Sequence, residues 1–558
     1  MNKRFLGVLS LSLVSSLCMM SCGGNQETST NKEEPVVSTV KTEKTVEKDG
    51  EVLQPIDKGT VFKIANMADP ASLDPAFIQG VPGYRVNLSL FEGLVGINPE
   101  TAEPIPGLAE SWDVSEDKTV WTFHLRQAQW SDGSPITAHD VVYSWLRELD
   151  PETASPYAWF PCQFIQGATD YNNGDAASDT VKIKALDDHT FQVVLVGPIP
   201  FFLEALQHFA FNIVPKQAIE QWGSDWTQTE HFVGNGPFVL TKRVPQSLIE
   251  VVPNKYYWDK ENVNLDKIIY LSSADANTNY NMYVNGEVDW DTTAPTDQLS
   301  AISMRDDFHK HSLLGVYYYV FNTQRVPFDN ENIRKALSLA VDRDALVDGV
   351  TKGGELPAYG MVPAMENYEA IQSPFEDHAD AVAEAQELLA DAGYPDGQGL
   401  PEITILYNTS DNHKAIAEFI QQEWKKNLGI TAILQNEEWS TYLNDRSTHN
   451  FDVARAGWVG VYQDPSTFLD MFISTSAEND GQYVNEQFDT LEKGANLLPS
   501  GLDRLGVLRT AESLLIQSDQ AVMPLYNYVS LNLIDTEKWG GWFPNTMDYH
   551  PLKTIYKK

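Results

Sequence analysis

One stretch of the sequence, from residue 403 to residue 434, limits the possible folds more than any other. An alternating apolar run, Ile403–Leu406, precedes an amphipathic segment, Lys414–Leu428, that ends at Gly429, and a second apolar run, Ile430–Leu434, follows. Two short strands joined through a helix need a crossover connection, and this connection makes the strands parallel within one sheet. The stretch therefore predicts a mixed α/β chain.

The same mixture of periodicities occurs elsewhere in the chain. Val120–Arg126 alternates apolar and polar residues, as a half-buried strand does. Thr137 and Asp140 form a capping box for a helix that runs through Leu149. A hairpin is predicted at Val181–Ala185 with Phe191–Leu195. Two more helices are predicted at Asn332–Val350 and Ala381–Ala392.

Length, charge and cysteine content exclude several classes of protein. A chain of 558 residues is too long for one hydrophobic core, so two or three lobes are expected. The formal net charge of −39 argues against a nucleic-acid partner, which needs a basic surface. The three cysteines, Cys18, Cys22 and Cys162, do not form a disulfide framework.

The N-terminus has the pattern of an export signal. Lys3 and Arg4 precede an apolar run, Phe5–Met20, that is too short and too rich in serine for a membrane span. The tetrapeptide Met19–Cys22 resembles the bacterial lipobox, in which a peptidase cuts before a cysteine that carries lipid, palmitate included. We expect residues 1–21 to be a lipoprotein signal peptide and Cys22 to be lipidated. A plain secretory signal with a chance cysteine is the alternative.

Residues 22–57 continue as a polar segment without aromatic side chains. Such a segment cannot bury enough apolar surface to fold, so we expect a disordered tether. A lipidated cysteine, a tether and a globular body together describe a periplasmic or cell-surface protein that is held to a membrane by its lipid alone.

Motifs of enzyme active sites are absent. The sequence contains no P-loop, no GxSxG, no HExxH and no CxxC. His309 and His311 could suggest a metal site, but two histidines in a charged stretch are more often solvated. We expect a protein that is not an enzyme and that has no cofactor and no bound metal.

A series of motifs stands in a characteristic order along the chain. The first are Leu73–Pro75, Leu90–Leu94, Leu108–Trp112, Trp121–Arg126, Trp130–Ala138 and Asp150–Tyr157. The later ones are Asn235–Phe238, Gly286–Asp289, Ile333–Ala336, Leu406–Asp411 and Phe451–Trp458. Together they resemble the family 5 extracellular solute-binding proteins of ABC importers, and in particular the oligopeptide-binding branch, over residues 58–558.

The resemblance implies a fold and a set of partners. The fold is α/β, three-lobed and periplasmic-binding-protein-like (type II, cluster C), with the ligand enclosed between two large lobes by a hinge closure. Lobe I would comprise residues 58–91, 216–315 and 529–558, lobe II residues 92–215, and lobe III residues 316–528. The implied partners are a peptide or peptide-like ligand and the permease and ATPase subunits of an ABC importer. The protein itself is expected to be a monomer that binds no nucleic acid.

The resemblance also implies a binding pocket. A receptor for many peptides reads the ligand backbone by adding it to a strand edge, here Ala456–Gly460, and lets water fill roomy side-chain pockets. Residues at positions that line this pocket are Tyr157, Tyr318, His413, Trp439, Arg446, Arg455, Gly457, Trp458, Val459 and Val461. For any one of them, core packing or a surface ion pair is the alternative.

Three positions depart from the pattern of the family. Val461 stands where an Asp pairs with the ligand α-amine, Val320 where a Glu balances the pocket arginine, and Thr351, followed by Lys352, where a Lys can meet a carboxylate. A buried ammonium without its partner costs about 3–5 kcal/mol.

We therefore expect Arg455, together with Arg446, to meet an anionic or uncharged ligand group. An N-blocked, modified or cyclic peptide would fit, and so would a non-peptide anion. The alternative is that Asp464 or another carboxylate supplies the missing negative charge.

Four functions remain open at this point. The first is a transport receptor for oligopeptides or peptide-like ligands. The others are a sensory or adhesive receptor without a permease, a nickel or haem carrier, and an enzyme on the same scaffold.

Overall fold

The computed structural model describes residues 59–558, together with two short backbone strands, Glu47–Lys48 and Glu51–Val52, that pair antiparallel. These two strands fall within the predicted tether, where no secondary structure was expected. The predicted signal peptide, Cys22 and the remainder of the tether lie outside the described residues.

A mixed sheet of 11 strands forms the centre of the part described. Ten of its strands follow one another in the order Phe238–Val244, Leu248–Pro253, Lys267–Leu271, Val61–Ala65, Trp290–Asp291, Val522–Ile534, Phe308–Phe321, Val453–Val459, Ile403–Asn408 and Ala432–Glu437. The remaining strand, Leu356–Pro357, pairs with Val522–Ile534.

The parallel crossover predicted from residues 403–434 is confirmed. Ile403–Asn408 and Ala432–Glu437 pair parallel at one end of the sheet, and the helix Asp411–Leu428 connects them. Ser410 caps the start of this helix, and Gly429 ends it with a φ of 72°. The local pattern was sufficient here because the caps and the apolar periodicity agree.

Two long strands, Phe308–Phe321 and Val522–Ile534, run antiparallel through the sheet. Their register shifts between Ser312 and Val316, at the place where the predicted lobes I and III meet. An irregularity of this kind bends a strand and increases its twist. The division into three lobes remains a prediction, and this break is where its boundary would lie.

A second sheet of four strands has the order Ile183–Asp187, Thr190–Val194, Val120–Leu125 and Ala109–Val114. It confirms the predicted hairpin and the predicted half-buried strand, in which Phe123 and Leu125 are buried. Three smaller strand pairs are Val95–Ile97 with Pro104–Pro106, Ala128–Gln129 with Pro135–Ile136, and Trp539–Gly540 with Tyr556–Lys557.

Helices lie on and between these sheets. In chain order, the α-helices of the described residues are Gly80–Leu90, Ala138–Leu149, Trp159–Cys162, Ala168–Asn172, Phe202–Ala205, Lys216–Trp222, Ala276–Val284, Leu299–Ile302, Glu331–Leu339, Arg343–Leu346, His378–Asp391, Asp411–Leu428, Trp439–Ser447, Ser466–Leu469, Glu486–Ala495 and Leu502–Ser513. Shorter 3₁₀ turns are Pro75–Phe77, Ser178–Thr180, Phe209–Phe211, Gly223–Thr227, Lys260–Asn262, Thr296–Gln298, Pro395–Gly397, Asp470–Phe472 and Leu552–Thr554, and π turns are Val347–Thr351 and Leu514–Ser518.

Two helix predictions had different outcomes. The capping box of Thr137 and Asp140 is present at the start of Ala138–Leu149, as predicted. The single helix predicted from residue 332 to residue 350 is wrong, because the chain forms two helices and a π turn there. Asp342 causes the break, since its side chain accepts a hydrogen bond from the Ala345 N–H and starts a new helix.

The apolar side chains form several separate cores, as the chain length predicts. One surrounds Trp145 and Phe191, another Trp424 and Leu337, and a third Trp226. Among residues 59–558, no helix combines the length and the apolar composition that crossing a bilayer requires.

Candidate ligand-binding cavity

A cavity of about 710 Å³ is lined by segments that are far apart in the sequence. Its volume is typical of a site for a small organic ligand. Of the ten predicted pocket residues, nine line it: Tyr157, His413, Trp439, Arg446, Arg455, Gly457, Trp458, Val459 and Val461. The structure therefore brings these residues together, and the role of each in ligand binding stays a prediction.

Tyr318 is the predicted pocket residue that does not line the cavity. It is 1% exposed, and its ring packs edge-on against Phe472 with centroids 6.1 Å apart. Side chains alternate along a strand, so Tyr318 shares a face with Val320, while Tyr317 and Tyr319 point to the other core. Val320 is likewise buried in the apolar core.

The strand Val453–Val459 offers a free backbone edge. Along one side, all seven of its residues pair with Phe308–Phe321. Along the other side, only Val453 and Ala454 have strand partners among the described residues. Residues 456–459 thus keep an unpaired edge beside the cavity, and an extended peptide can add to such an edge as a further strand.

Gly457 makes room for a tyrosine. A Cβ added at this position would collide with the hydroxyl of Tyr528, which lies over the glycine. Tyr528 in turn accepts a hydrogen bond from Nη2 of Arg455 at 3.2 Å. Gly457 belongs to the strand edge that is predicted to meet the ligand backbone, and the structure adds that the glycine permits this tyrosine–arginine contact.

Arg455 lies among aromatic rings and amides. Its guanidinium carbon is 4.9 Å from the centre of the Tyr317 ring, and Nη1 donates to Oδ1 of Asn408 at 3.4 Å. Its Nε is buried without a partner. None of its hydrogen-bonding partners in the described chain is a carboxylate. Since an unpaired buried charge is costly, a ligand acceptor beside Arg455 would be stabilising.

Arg446 differs from Arg455 because it already has a counter-charge. Its Nη2 forms an ion pair with the carboxylate of Asp480, and the two side chains are 11% and 7% exposed. Its Nη1 donates to the Tyr442 hydroxyl at 3.3 Å. Only Arg455 among the predicted pocket residues therefore presents an uncompensated positive charge.

Glu478 brings a second carboxylate to the same wall of the cavity. The Tyr157 hydroxyl faces its carboxylate. Burial, followed by the negative charge of Asp480, raises the pKa of Glu478 to about 7. Sequence patterns did not point to Glu478 or Asp480, because both lie in a loop without periodicity.

His413 is a neutral group in this site. Burial, assisted by the positive charge of Arg455, holds the pKa of His413 well below its usual value. Its Nδ1 lies 3.3 Å from the Tyr317 hydroxyl. It therefore contributes hydrogen-bonding capacity and no positive charge at neutral pH.

Two tryptophans place unused donors around the cavity. The indole N–H groups of Trp439 and Trp458 are both buried without a partner. The Trp439 ring stacks on Tyr442 with centroids 5.6 Å apart and rests against Gly80. Buried donors are normally paired, so these two N–H groups suit carbonyl oxygens of a ligand.

The other two departing positions, Val461 and Thr351, have surroundings that differ from those of the buried Val320. Val461 lines the cavity at 6% exposure, with an apolar side chain that cannot pair with an ammonium. The Thr351 hydroxyl donates to Glu355 at 2.8 Å, while Lys352 is exposed. Asp464 binds Arg504 at 2.5 Å. Asp464 is thus occupied elsewhere, and the cavity carboxylates are Glu355, Glu478, Asp480 and Asp548.

The histidines near residue 310 bind protein groups. His309 Nε2 lies 2.9 Å from the carbonyl oxygen of Ile534, and His311 Nε2 lies 3.4 Å from Asp548. His311 is 13% exposed, so the expectation of a solvated side chain is wrong for it, because the surrounding fold covers it. Within the described residues, no group of three His, Cys, Asp or Glu side chains is arranged to hold a metal ion.

The sequence and the fold match those of known proteins. The family model described as bacterial extracellular solute-binding proteins, family 5 Middle, matches residues 103–480. The chain is 38% identical over 514 residues to the periplasmic oligopeptide-binding protein OppA of Salmonella typhimurium, which covers 91% of this chain and 93% of the relative. It is also 38% identical to the periplasmic murein peptide-binding protein MppA of Escherichia coli, over 88% of this chain and 91% of the relative.

A solved structure supports the same comparison. The crystal structure of the periplasmic oligopeptide-binding protein OppAIV of Borrelia burgdorferi superposes with a TM-score of 0.86 at 37% identity. The match covers 89% of this chain and 100% of that chain. The mixed α/β fold is therefore that of the type II periplasmic binding proteins.

Proposed function

This chain belongs to family 5 of the bacterial extracellular solute-binding proteins, and from that premise we propose that it captures oligopeptides outside the cytoplasm for an ABC importer. Support comes from two similar proteins that are named as oligopeptide-binding and murein peptide-binding. The Borrelia burgdorferi relative is named both as an oligopeptide-binding protein and as an oligopeptide ABC transporter. The observation that carries the proposal is the unpaired strand edge at residues 456–459 beside a cavity of about 710 Å³.

The cavity can hold a peptide through its backbone. The free strand edge would pair with the peptide N–H and C=O groups, and this pairing does not depend on the ligand's side chains. The indole donors of Trp439 and Trp458 add two further contacts for carbonyl oxygens. Arg455 would bind an anionic group, such as the peptide carboxylate, because its positive charge has no carboxylate partner.

Mass spectrometry of the ligands that leave the purified protein on denaturation tests this function. We expect short peptides to be released. The alternatives are a modified or N-blocked peptide, which the same spectra would identify, and a non-peptide anion. Recovery of a metal ion, a haem or a non-peptide anion as the dominant ligand would contradict the peptide assignment.

The same proposal includes a membrane anchor and a partner. Cys22 would carry the lipid, and the protein would act as a monomer that meets the importer's permease outside the cytoplasm, while the ATPase subunits complete the importer. The support for the anchor is the sequence Met19–Cys22 after an apolar run. Metabolic labelling with an alkyne fatty acid tests it, since the protein should be labelled and Cys22→Ser should not. An unlabelled protein, or a label retained in Cys22→Ser, would contradict the anchor.

A further inference from the structure

We propose that Glu478 binds an ammonium group of the ligand and is the cation-binding residue of the cavity. This inference rests on the proposed function, because it concerns a peptide ligand in the same cavity. It assigns a role to a residue that the sequence patterns did not single out. It also determines whether an unmodified peptide, which carries a free α-amine, is an acceptable ligand.

The charges around Glu478 do not balance. Glu478 and Asp480 are two carboxylates, and Arg446 is the cation next to them. Arg446 pairs directly with Asp480, while the neutral Tyr157 hydroxyl is the group that faces Glu478. When both carboxylates are ionised, this cluster therefore retains one negative charge, and that charge lines the cavity.

The other cavity carboxylates are better satisfied by the protein. Glu355 accepts from the Thr351 hydroxyl at 2.8 Å and from the Gly353 N–H at 2.9 Å. Asp548 accepts from the Ser530 hydroxyl at 2.7 Å and lies 3.0 Å from Nε2 of His550. Glu478 has fewer protein donors than Glu355 or Asp548 and, unlike Asp480, is not in an ion pair with Arg446, so a ligand cation gains most by binding there.

Two buried donors without a partner are a second observation that points to a ligand at this wall of the cavity. Arg446 Nε and Trp439 Nε1 both line the region as buried donors without a partner. A carboxylate without a cation and donors without acceptors together complement a zwitterionic, amide-containing molecule. A peptide has this chemistry, because each residue presents a carbonyl and the amine carries a positive charge.

Ammonium binding should also displace a proton. Burial and Asp480 raise the pKa of Glu478 to about 7, so near neutral pH the empty cavity holds this carboxyl partly protonated. The groups that face it are Tyr157, Arg446 and Asp480, and His449 lies beside Asp480. Binding of an ammonium favours the ionised carboxylate, and the proton leaves to solvent.

Calorimetry with three tripeptides and two variants tests the proposal. Ala-Gln-Ala carries only the α-ammonium, N-acetyl-Ala-Lys-Ala only a side-chain ammonium, and N-acetyl-Ala-Gln-Ala neither. Glu478→Gln should weaken at least one ammonium-bearing probe by roughly 30-fold or more and leave the third probe within about twofold. Glu486→Gln, which removes an exposed carboxylate outside the cavity, is the matched control and should change none of them.

The outcomes separate this proposal from the proposed function. The probe that loses affinity identifies whether the α-amine or a basic side chain is bound. Equal losses for all three probes, or no loss for any, would overturn the role of Glu478. If the unaltered protein binds no peptide at all, the peptide-binding function fails as well. Titrations in buffers of different ionisation enthalpy give a second readout, since proton release should accompany the ammonium probes and disappear in Glu478→Gln.

Discussion

The surroundings of Arg446 and Arg455 differ, although both side chains line one cavity. Arg446 is neutralised by Asp480, and its neighbour Glu478 leaves that region with a surplus negative charge. Arg455 is surrounded by the Tyr317 ring, the Tyr528 hydroxyl and an amide, so its region keeps a surplus positive charge. The protein itself therefore neutralises the charge of Arg446, whereas the charge of Arg455 remains available to a ligand.

This difference indicates a zwitterionic ligand. A cavity with an excess negative charge at Glu478 and an excess positive charge at Arg455 is complementary to a molecule with both an ammonium and a carboxylate, as an unmodified peptide has. The sequence alone favoured an N-blocked peptide or an anion, because Val461 removes the expected carboxylate. Glu478 supplies a carboxylate from a different segment, so the free amine again has a possible partner.

Removing the counter-charge of Arg446 should have the largest effect. Asp480→Asn leaves a buried guanidinium unpaired, and we expect a loss of about 3–5 kcal/mol in the free energy of unfolding. Urea denaturation measures this loss. Glu220→Gln breaks the exposed pair with Lys216, in which the side chains are 50% and 61% exposed, and it should cost less than about 1 kcal/mol. Equal losses of stability in Asp480→Asn and Glu220→Gln would show that the Arg446–Asp480 pair contributes no more than an exposed ion pair.

Arg455 should show the opposite behaviour. Arg455→Met removes a buried charge that has no carboxylate partner, so the free energy of unfolding should be unchanged or higher. Peptide binding should weaken by roughly 30-fold or more, because the ligand's carboxylate loses its partner. Denaturation and calorimetry on one preparation measure both quantities. A large loss of stability with unchanged affinity would assign Arg455 a structural role.

Local patterns predicted much of the fold and part of this cavity. The crossover at residues 403–434 and the capping box of Thr137 follow from neighbouring residues alone, and both are confirmed. The helix predicted from residue 332 to residue 350 failed for a local reason, since Asp342 caps a new helix within a run of apolar residues at helical spacing. Aspartate favours caps over helix interiors, so its propensity indicated a break that the apolar periodicity concealed.

The pairing of charges could not be predicted from the sequence. Arg446 and Asp480 come from a helix and a distant loop, and tertiary packing alone brings them together. Tyr318 shows the same limit, because the alternation of residues 317–319 gives two faces without showing that both pack into cores and neither lines the cavity. The resemblance to a family located the cavity residues, but it could not locate Glu478.

A substitution with a smaller expected effect tests whether Gly457 positions Arg455 through Tyr528. Gly457→Ala should displace the Tyr528 hydroxyl and its contact with Arg455, at a cost of about 1–3 kcal/mol in the free energy of unfolding and with weaker peptide binding. Gly494→Ala is the matched control, since nothing lies near its added Cβ and the helix Glu486–Ala495 should gain about 0.5–1 kcal/mol. Thermal melts and calorimetry check both. A neutral Gly457→Ala would show that Tyr528 moves freely and does not position Arg455.

The smallest effect is expected from a change of pH, which alters the charge of Glu478 and leaves the charge of Arg455 unchanged. Since the pKa of Glu478 is raised to about 7, lowering the pH from about 8 to about 6 protonates it and should weaken an ammonium-bearing peptide by up to about tenfold. The empty protein should change in the opposite direction, because a carboxyl whose pKa is raised by folding contributes more stability as the pH falls below that pKa. Glu478→Gln should remove the pH dependence of binding, whereas Arg455→Met should retain it, because a guanidinium keeps its charge throughout this range. A pH profile that is the same in both variants would show that some other group titrates.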